Sequence, residues 1–222
     1  MARRDRATVG AMSVAAHSGI PSPVTGEERA RSERDLLLRA AFRLVGRAHD
    51  GPVSVQQILD TAELSTRAFY RHFRSKDELI ITMCRSAADR MVVEMTAVIE
   101  RSPSTAAALR ALIRDQLAVV YDPKRARQTS VLASPEARAA AGFDQAKEDA
   151  AAVRRQLVAG VIARGHEEGV FPYAENAVEA ARAVNGVVMA VIEARIAGHD
   201  VPTWEDATEH TADLFLRAFG AS

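Results

Sequence analysis

From residue 32 onward, apolar residues recur at the spacing of an α-helix. Leu37, Ala40, Ala41, Leu44 and Val45 stand at i, i+3, i+4, i+7 and i+8, so one face of a first helix is apolar. Gly51-Pro52 interrupts the pattern, and a second helix carries Val55, Ile58, Leu59 and Ala62 on one face. A short third segment covers 66–73. A fourth helix starts after Ser75, with Ile80, Met83, Cys84, Ala87, Met91, Met95 and Val98 on its apolar side. Beyond Pro103 the pattern predicts long helices. Their stripes are Leu109, Leu112, Ile113, Leu117 and Val120, then Val153, Leu157 and Val161, then Ala181, Val184, Val188, Val191 and Ile192. A last helix presents Thr211, Phe215 and Phe219. No segment alternates with the period of a strand, so the chain reads as all-α.

Helix starts crowd between Gly51 and Leu79. Ser54 and Gln57 have the spacing of a capping box, with Val53 and Ile58 placed as its hydrophobic staple. Ser65 offers a second N-cap, with Leu64 and Phe69 in the staple positions. Ser75-Lys76-Asp77-Glu78 reads as another capping box. Three starts this close imply two short helices joined by a tight turn, which is the shape of a helix-turn-helix. In the third segment Phe69 and Phe73 face inward with Leu64, while Thr66, Arg67, Tyr70 and Arg71 share the opposite side. A lone helix of that length is unstable in water, so packing must hold it. Arg67, Arg71, His72, Arg74 and Lys76 occupy the window from Ser65 to Lys76, and no acid does. Such a run is an ordinary solvated face or a surface for phosphates and base edges; the capped turn beside it favours the second.

Composition narrows the partners. The chain has 222 residues, 48% hydrophobic and 5% aromatic, and a formal net charge of zero, so any nucleic-acid contact must come from local charge. A lone Cys84 excludes an internal disulfide and a cysteine-based zinc site, leaving a small core side chain or a redox sensor. No apolar run approaches the ~20 residues of a membrane span, and the cytoplasm is the expected location. Residues 1–30 are rich in Arg, Ser, Gly, Pro and Ala, with Arg3, Arg4 and Arg6 at a basic tip. They read as a flexible arm that either tracks DNA or has no role.

The run Phe69-Tyr70-Arg71-His72-Phe73, followed by Ser75-Lys76-Asp77-Glu78-Leu79, resembles the DNA-binding signature of the tetracycline-repressor (TetR) family, and the similarity extends over residues 32–80. One departure is Glu63, at a turn position often occupied by Gly. The turn is therefore expected to take another geometry, or Glu63 to stay helical. The resemblance implies a flexible arm at 1–30, a three-helix DNA-binding domain at 31–78, and a helical bundle at 79–222 for ligand binding and dimerisation. It makes 66–73 a recognition helix in the major groove. Thr66, Arg67 and Arg71 are then expected at or near base edges, with Ser54, Ser65, Tyr70, His72 and Lys76 completing the DNA surface. The resemblance further implies a homodimer formed through about 175–198 and 204–219, with Val184, Val188, Val191, Phe215 and Phe219 at the seam.

The same resemblance implies an effector pocket inside the bundle, for a small apolar or aromatic molecule. Met83, Met91, Met95, Gln116, Phe143, Asn185 and Met189 are its candidate lining, although a methionine stripe is also ordinary core. The expected partners are double-stranded operator DNA, a small-molecule effector and a second copy of the chain, with no membrane, cofactor or metal. Two other classes remain open. A helical adaptor would bind no operator. A helical enzyme would have to use His166-Glu167-Glu168, which lacks the second histidine of a zinc-protease motif, or the pair His199-Asp200.

Overall fold

The computed structural model describes residues 26–46, 52–132 and 134–221. Within them every regular element is an α-helix: α1 (Gly26–Val45), α2 (Val55–Ala62), α3 (Thr66–His72), α4 (Lys76–Arg101), α5 (Thr105–Tyr121), α6 (Pro123–Leu132), α7 (Pro135–Ala139), α8 (Phe143–Glu167), α9 (Ala177–Ile196) and α10 (Trp204–Ala218). The all-α expectation stands. Helix α1 begins at Gly26, before the first clear apolar repeat, because its opening turns are solvated and carry no periodic signal; Glu27 and Glu28 favour the start through the helix dipole. The expected arm lies outside the described residues up to residue 25.

Serine caps divide the chain. The Ser54 hydroxyl accepts the Gln57 N–H at 3.2 Å and the Ser54 N–H donates to the Gln57 side chain at 2.7 Å, a reciprocal box. Ser65 caps α3 and Ser104 caps α5 in the one-way form. The box expected at Ser75 is only half formed. Its hydroxyl accepts the Glu78 N–H at 3.1 Å, but the Glu78 carboxylate turns to the Arg74 N–H at 2.6 Å. Short helices α6 and α7 have no long apolar stripe; their starts are Pro123 and Pro135, the latter with Ser134 as N-cap.

Two separate hydrophobic cores organise the molecule. The first holds Leu37, Ala41, Ile58, Phe69, Phe73 and Leu79. It does not stop at residue 78: Ile80, Ile81 and Met83 of α4 join it, as do Val131 of α6, Ala137 and Ala140 around α7, and Ala146 of α8. The second core surrounds α5, whose Leu109, Leu112, Ile113 and Leu117 are fully buried among Met95, Val158, Ile162, Phe171, Val184 and Phe215. Val153, expected on the α8 stripe, is exposed; the buried face runs through Val158, Val161, Ile162 and Gly165. At Gly165 a Cβ would lie 2.2 Å from the Phe171 ring, so the glycine lets that ring close the top of the bundle.

Helices α4 and α8 pack on each other and cross both cores. Between the cores, no residue in 84–94 of α4 or in 147–157 of α8 is buried. The head and the bundle are thus joined by two continuous helices that are loosely packed where they leave one core for the other.

Candidate nucleic-acid interface

Helix α3 is only seven residues long and is anchored by its apolar side. Phe69 and Phe73 are essentially fully buried, with ring centroids 5.8 Å apart, and Ala68 is buried beside them. The opposite side is open. Thr66 and Arg67 are exposed and make no hydrogen bond or ion pair with any described residue. Tyr70 is 61% exposed, its ring edge-on to Phe69 at 5.3 Å and 83°. Ser54 and Ser65 are exposed at the starts of α2 and α3, each with its hydroxyl oxygen already accepting a backbone N–H. These five side chains are all exposed on the two-helix unit.

Three other expected DNA residues are engaged within the chain. Arg71 is half-exposed but donates to Glu33 of α1 at 3.0 Å. The His72 side chain is 9% exposed, with Nε2 3.1 Å from the same carboxylate oxygen, so it braces α3 against α1 instead of reaching out to a phosphate. Lys76 is the most firmly held of the three. Its ammonium donates to the Val53 carbonyl at 2.9 Å and pairs with Glu136 of α7, which draws it behind the interface. Next to it, the Asp77 carboxylate accepts the Ala141 N–H at 3.2 Å. The first turn of α4 is therefore clamped to α7.

The turn between α2 and α3 follows neither expected path. Glu63 takes the left-handed conformation itself, at φ 55° and ψ 41°, and is the only non-glycine residue at positive φ among the described residues. The Leu64 N–H then returns to the Leu59 carbonyl at 3.1 Å and ends α2 two residues before the Ser65 cap.

The expected effector residues divide between the two cores. Met83 and Phe143 belong to the head's core and do not face the bundle's interior. Met95 is fully buried in the second core, with Met91 and Met189 packed partly buried against it. Gln116 and Asn185 are buried there too. The Gln116 amide nitrogen has no partner; Asn185 donates to the Ala181 carbonyl at 2.8 Å while its own carbonyl oxygen has none. Arg154, which apolar periodicity passes over, sits on α8 one turn before Val158 with a buried, unpartnered Nε. Burial first, then the adjacent Arg155 charge, lowers its pKa from the ordinary arginine value. Cys84 lies half-buried between the cores, where desolvation raises its thiol pKa, the opposite of what a reactive thiolate needs.

The expected dimer seam is also corrected. Val184, Val188, Phe215 and Phe219 are buried in the chain's own second core, and Val191 is half-buried at its edge. Their stripe is apolar because it packs inward on α5 and α8. Of the residues an enzyme would have to use, His166 has Nδ1 3.1 Å from the Phe171 carbonyl, Glu168 accepts from the Thr105 hydroxyl, and His199 is exposed. Among the described residues, no three His, Cys, Asp or Glu side chains gather as a metal site.

Residues 37–83, which contain the capped two-helix unit and its open face, match the family model described as bacterial regulatory proteins, tetR family. Over these residues the chain carries a tetR-family domain. Solved structures share the fold of the chain over most of its length. The transcriptional regulator FadR from Bacillus subtilis, in complex with stearoyl-CoA, superposes with a TM-score of 0.67 at 12% identity, over 83% of this chain and 98% of that one. A TetR transcription regulator from Haloarcula marismortui gives 0.69 at 20% identity, over 85% and 98%. A protein from Saccharomonospora viridis, solved in complex with choline, gives 0.67 at 20% identity, over 83% and 95%. None of the curated proteins compared with the chain matches it. Within the matched residues α2 and α3 form the helix-turn-helix, and α5, α8, α9 and α10 gather around the second core.

Proposed function

We propose that the chain is a ligand-responsive repressor that binds a palindromic operator as a homodimer and is released by a small apolar or aromatic effector. The observation that carries this reading is the open face of α3, where Thr66, Arg67 and Tyr70 stand exposed on a helix fixed from behind by Phe69 and Phe73. Arg67 is suited to the paired acceptors on guanine in the major groove, and Tyr70, Ser54 and Ser65 to phosphate oxygens. Arg71 reaches the duplex only by sharing or leaving Glu33. The same reading puts the chain in the cytoplasm; no helix among the described residues is long and apolar enough to cross a membrane.

A helix this short reads few base pairs, so sequence choice calls for two copies meeting successive major grooves about 34–36 Å apart. The outward stripe of α9 supports a two-fold interface. Ala183, Gly186 and Ala190 are exposed there, with Leu214 and Ala218 exposed on the adjacent α10. For the effector, the unpartnered polar atoms of Gln116 and Asn185, buried in a core that takes in Met95 with Met91 and Met189 packed against it, support a site inside the bundle. An occupant pressing on α4 would bear on the helix whose first turn belongs to the head, and it would shift the two heads only by preferring one of their separations. Relatives of the same fold bind stearoyl-CoA or choline, which supports an occupied bundle without naming this one's ligand.

The test is a pull-down of sheared genomic DNA on the purified chain, followed by gel shift on the recovered fragments. A shared inverted repeat, bound by two chains per site, is the expected outcome. Recovery of no enriched sequence, with the protein folded and dimeric, would reject the repressor and leave the adaptor reading.

A further inference from the structure

A groove of about 710 Å³ runs between α1, α4 and α6, and the function proposed above makes no use of it. Its rim is cationic. Arg39 and Arg43 come from α1, Arg90 from α4 and Arg127 from α6; all four are exposed, and none of their guanidinium groups forms an ion pair or hydrogen bond with a described residue. Other arginines of the chain do meet acids: Arg110, Arg114, Arg125, Arg155 and Arg182 each pair with a carboxylate. At one end of the groove Arg34 lies over the Phe73 ring at 5.7 Å, and Asp35 is the single carboxylate in the lining. The floor is apolar, made by Leu38, Phe42, Met83 and Val131. On a chain of zero net charge, five arginines against one acid is a local excess.

Unpaired guanidinium groups brought to one groove repel one another, and an anion placed among them removes that cost. A guanidinium meets phosphate through two parallel N–H donors, which a lone ammonium cannot reproduce. The volume lies within the range of small-molecule sites, and an apolar floor under a few charged groups is their usual make-up. We propose that this groove binds a phosphorylated organic molecule, its phosphate on the arginine rim and its apolar portion on Leu38, Phe42 and Met83. The site spans the joint of the molecule. Helix α1 belongs to the head, α6 leads out of the bundle, and the two approach so closely that a Cβ on Gly46 would lie 2.9 Å from Val131 Cγ2. A bound molecule therefore touches α1, α4 and α6 together, at a place distinct from the effector site proposed inside the bundle.

Calorimetric titration of the full chain with octyl phosphate, 1-octanol and inorganic phosphate tests this. Octyl phosphate should bind saturably, about tenfold or more tighter than either half alone, since charge-assisted contacts and apolar burial both contribute. Arg39→Glu with Arg127→Glu should weaken it by a similar factor at an unchanged melting temperature, and Asp35→Asn should tighten it. Equal affinity for the three probes, or octyl phosphate binding untouched by the double variant, would overturn the proposal. So would a double variant that loses operator DNA yet keeps octyl phosphate, since the arginines would then serve the DNA backbone. Gel shift without any probe reports separately on the repressor reading, so either idea can fail alone.

Discussion

Glu63 holds a conformation that brings Cβ against its own following carbonyl, at a cost of roughly 1–2 kcal/mol for an L-residue. Glycine would remove that strain but lose more backbone entropy on folding, roughly 0.5–1 kcal/mol. The balance predicts that Glu63→Gly stabilises the chain by about 0.5–1 kcal/mol, read as a higher urea midpoint at unchanged slope. A lower midpoint would mean that the carboxylate itself supports the turn. The residue was conspicuous in the sequence because a glycine was expected there, but its conformation was not legible. It is imposed from both sides: the Leu64 N–H must reach Leu59, and Ser65 must be free to cap α3. The same limit applies to Lys76 and His72. Sequence gives their charge and their place near α3, while their direction is set by Glu136 and Glu33, residues far away along the chain.

At the scale of the element, the helix-turn-helix separates two kinds of cation. Arg67 is unengaged within the chain, so Arg67→Ala should leave stability nearly unchanged while costing roughly 1–3 kcal/mol on the preferred operator and relaxing base choice at one position. Competition gel shifts with single-base operator variants measure both. Lys76→Ala should do the reverse. It leaves Glu136, 13% exposed, without its partner and the Val53 carbonyl without its donor, for a stability loss of about 1–3 kcal/mol. The salt dependence of DNA binding should keep its slope, because the ammonium is not on the phosphates. A flattened slope at unaltered stability would show instead that Lys76 leaves α7 when DNA arrives. Periodicity and serine caps made α2 to α5 legible as elements. Helix α6 escaped because Val131 is its single buried residue and makes no stripe, α7 because five residues hold barely more than one turn, and Pro123 reads as a stop although it stands at a first helical position.

For the whole molecule, the proposed dimer turns on which face of α9 it would use. An apolar stripe reveals that a face is buried without revealing what buries it, which is why Val184 and Val188 looked like a seam while packing on α5 and α8. The outward face follows a different chemistry. Glu179, Ala183, Gly186, Ala190, Glu193 and Ala197 recur at alternating steps of four and three, all exposed, the repeat that keeps one helix face against a neighbour. Gly186 is the informative residue: a Cβ there would meet nothing within 4 Å in the chain. Mid-helix glycine costs about 0.8–1.0 kcal/mol against alanine, and the isolated chain offers no return for it. A second copy related by a two-fold axis would, because the missing side chain lets two backbones approach with Leu214 of each α10 closing the flank. Gly186→Arg should therefore yield a folded monomer, with the helical circular dichroism and melting behaviour of the parent, a halved mass in sedimentation, and operator affinity reduced to the level of a single half-site. A buried change such as Val188→Asp serves as the contrast, since it should unfold the bundle and lose helical signal together with assembly. If Gly186→Arg sediments as the parent does, the two copies meet elsewhere, and the spacing of the recognition helices must be set by a different pair of faces.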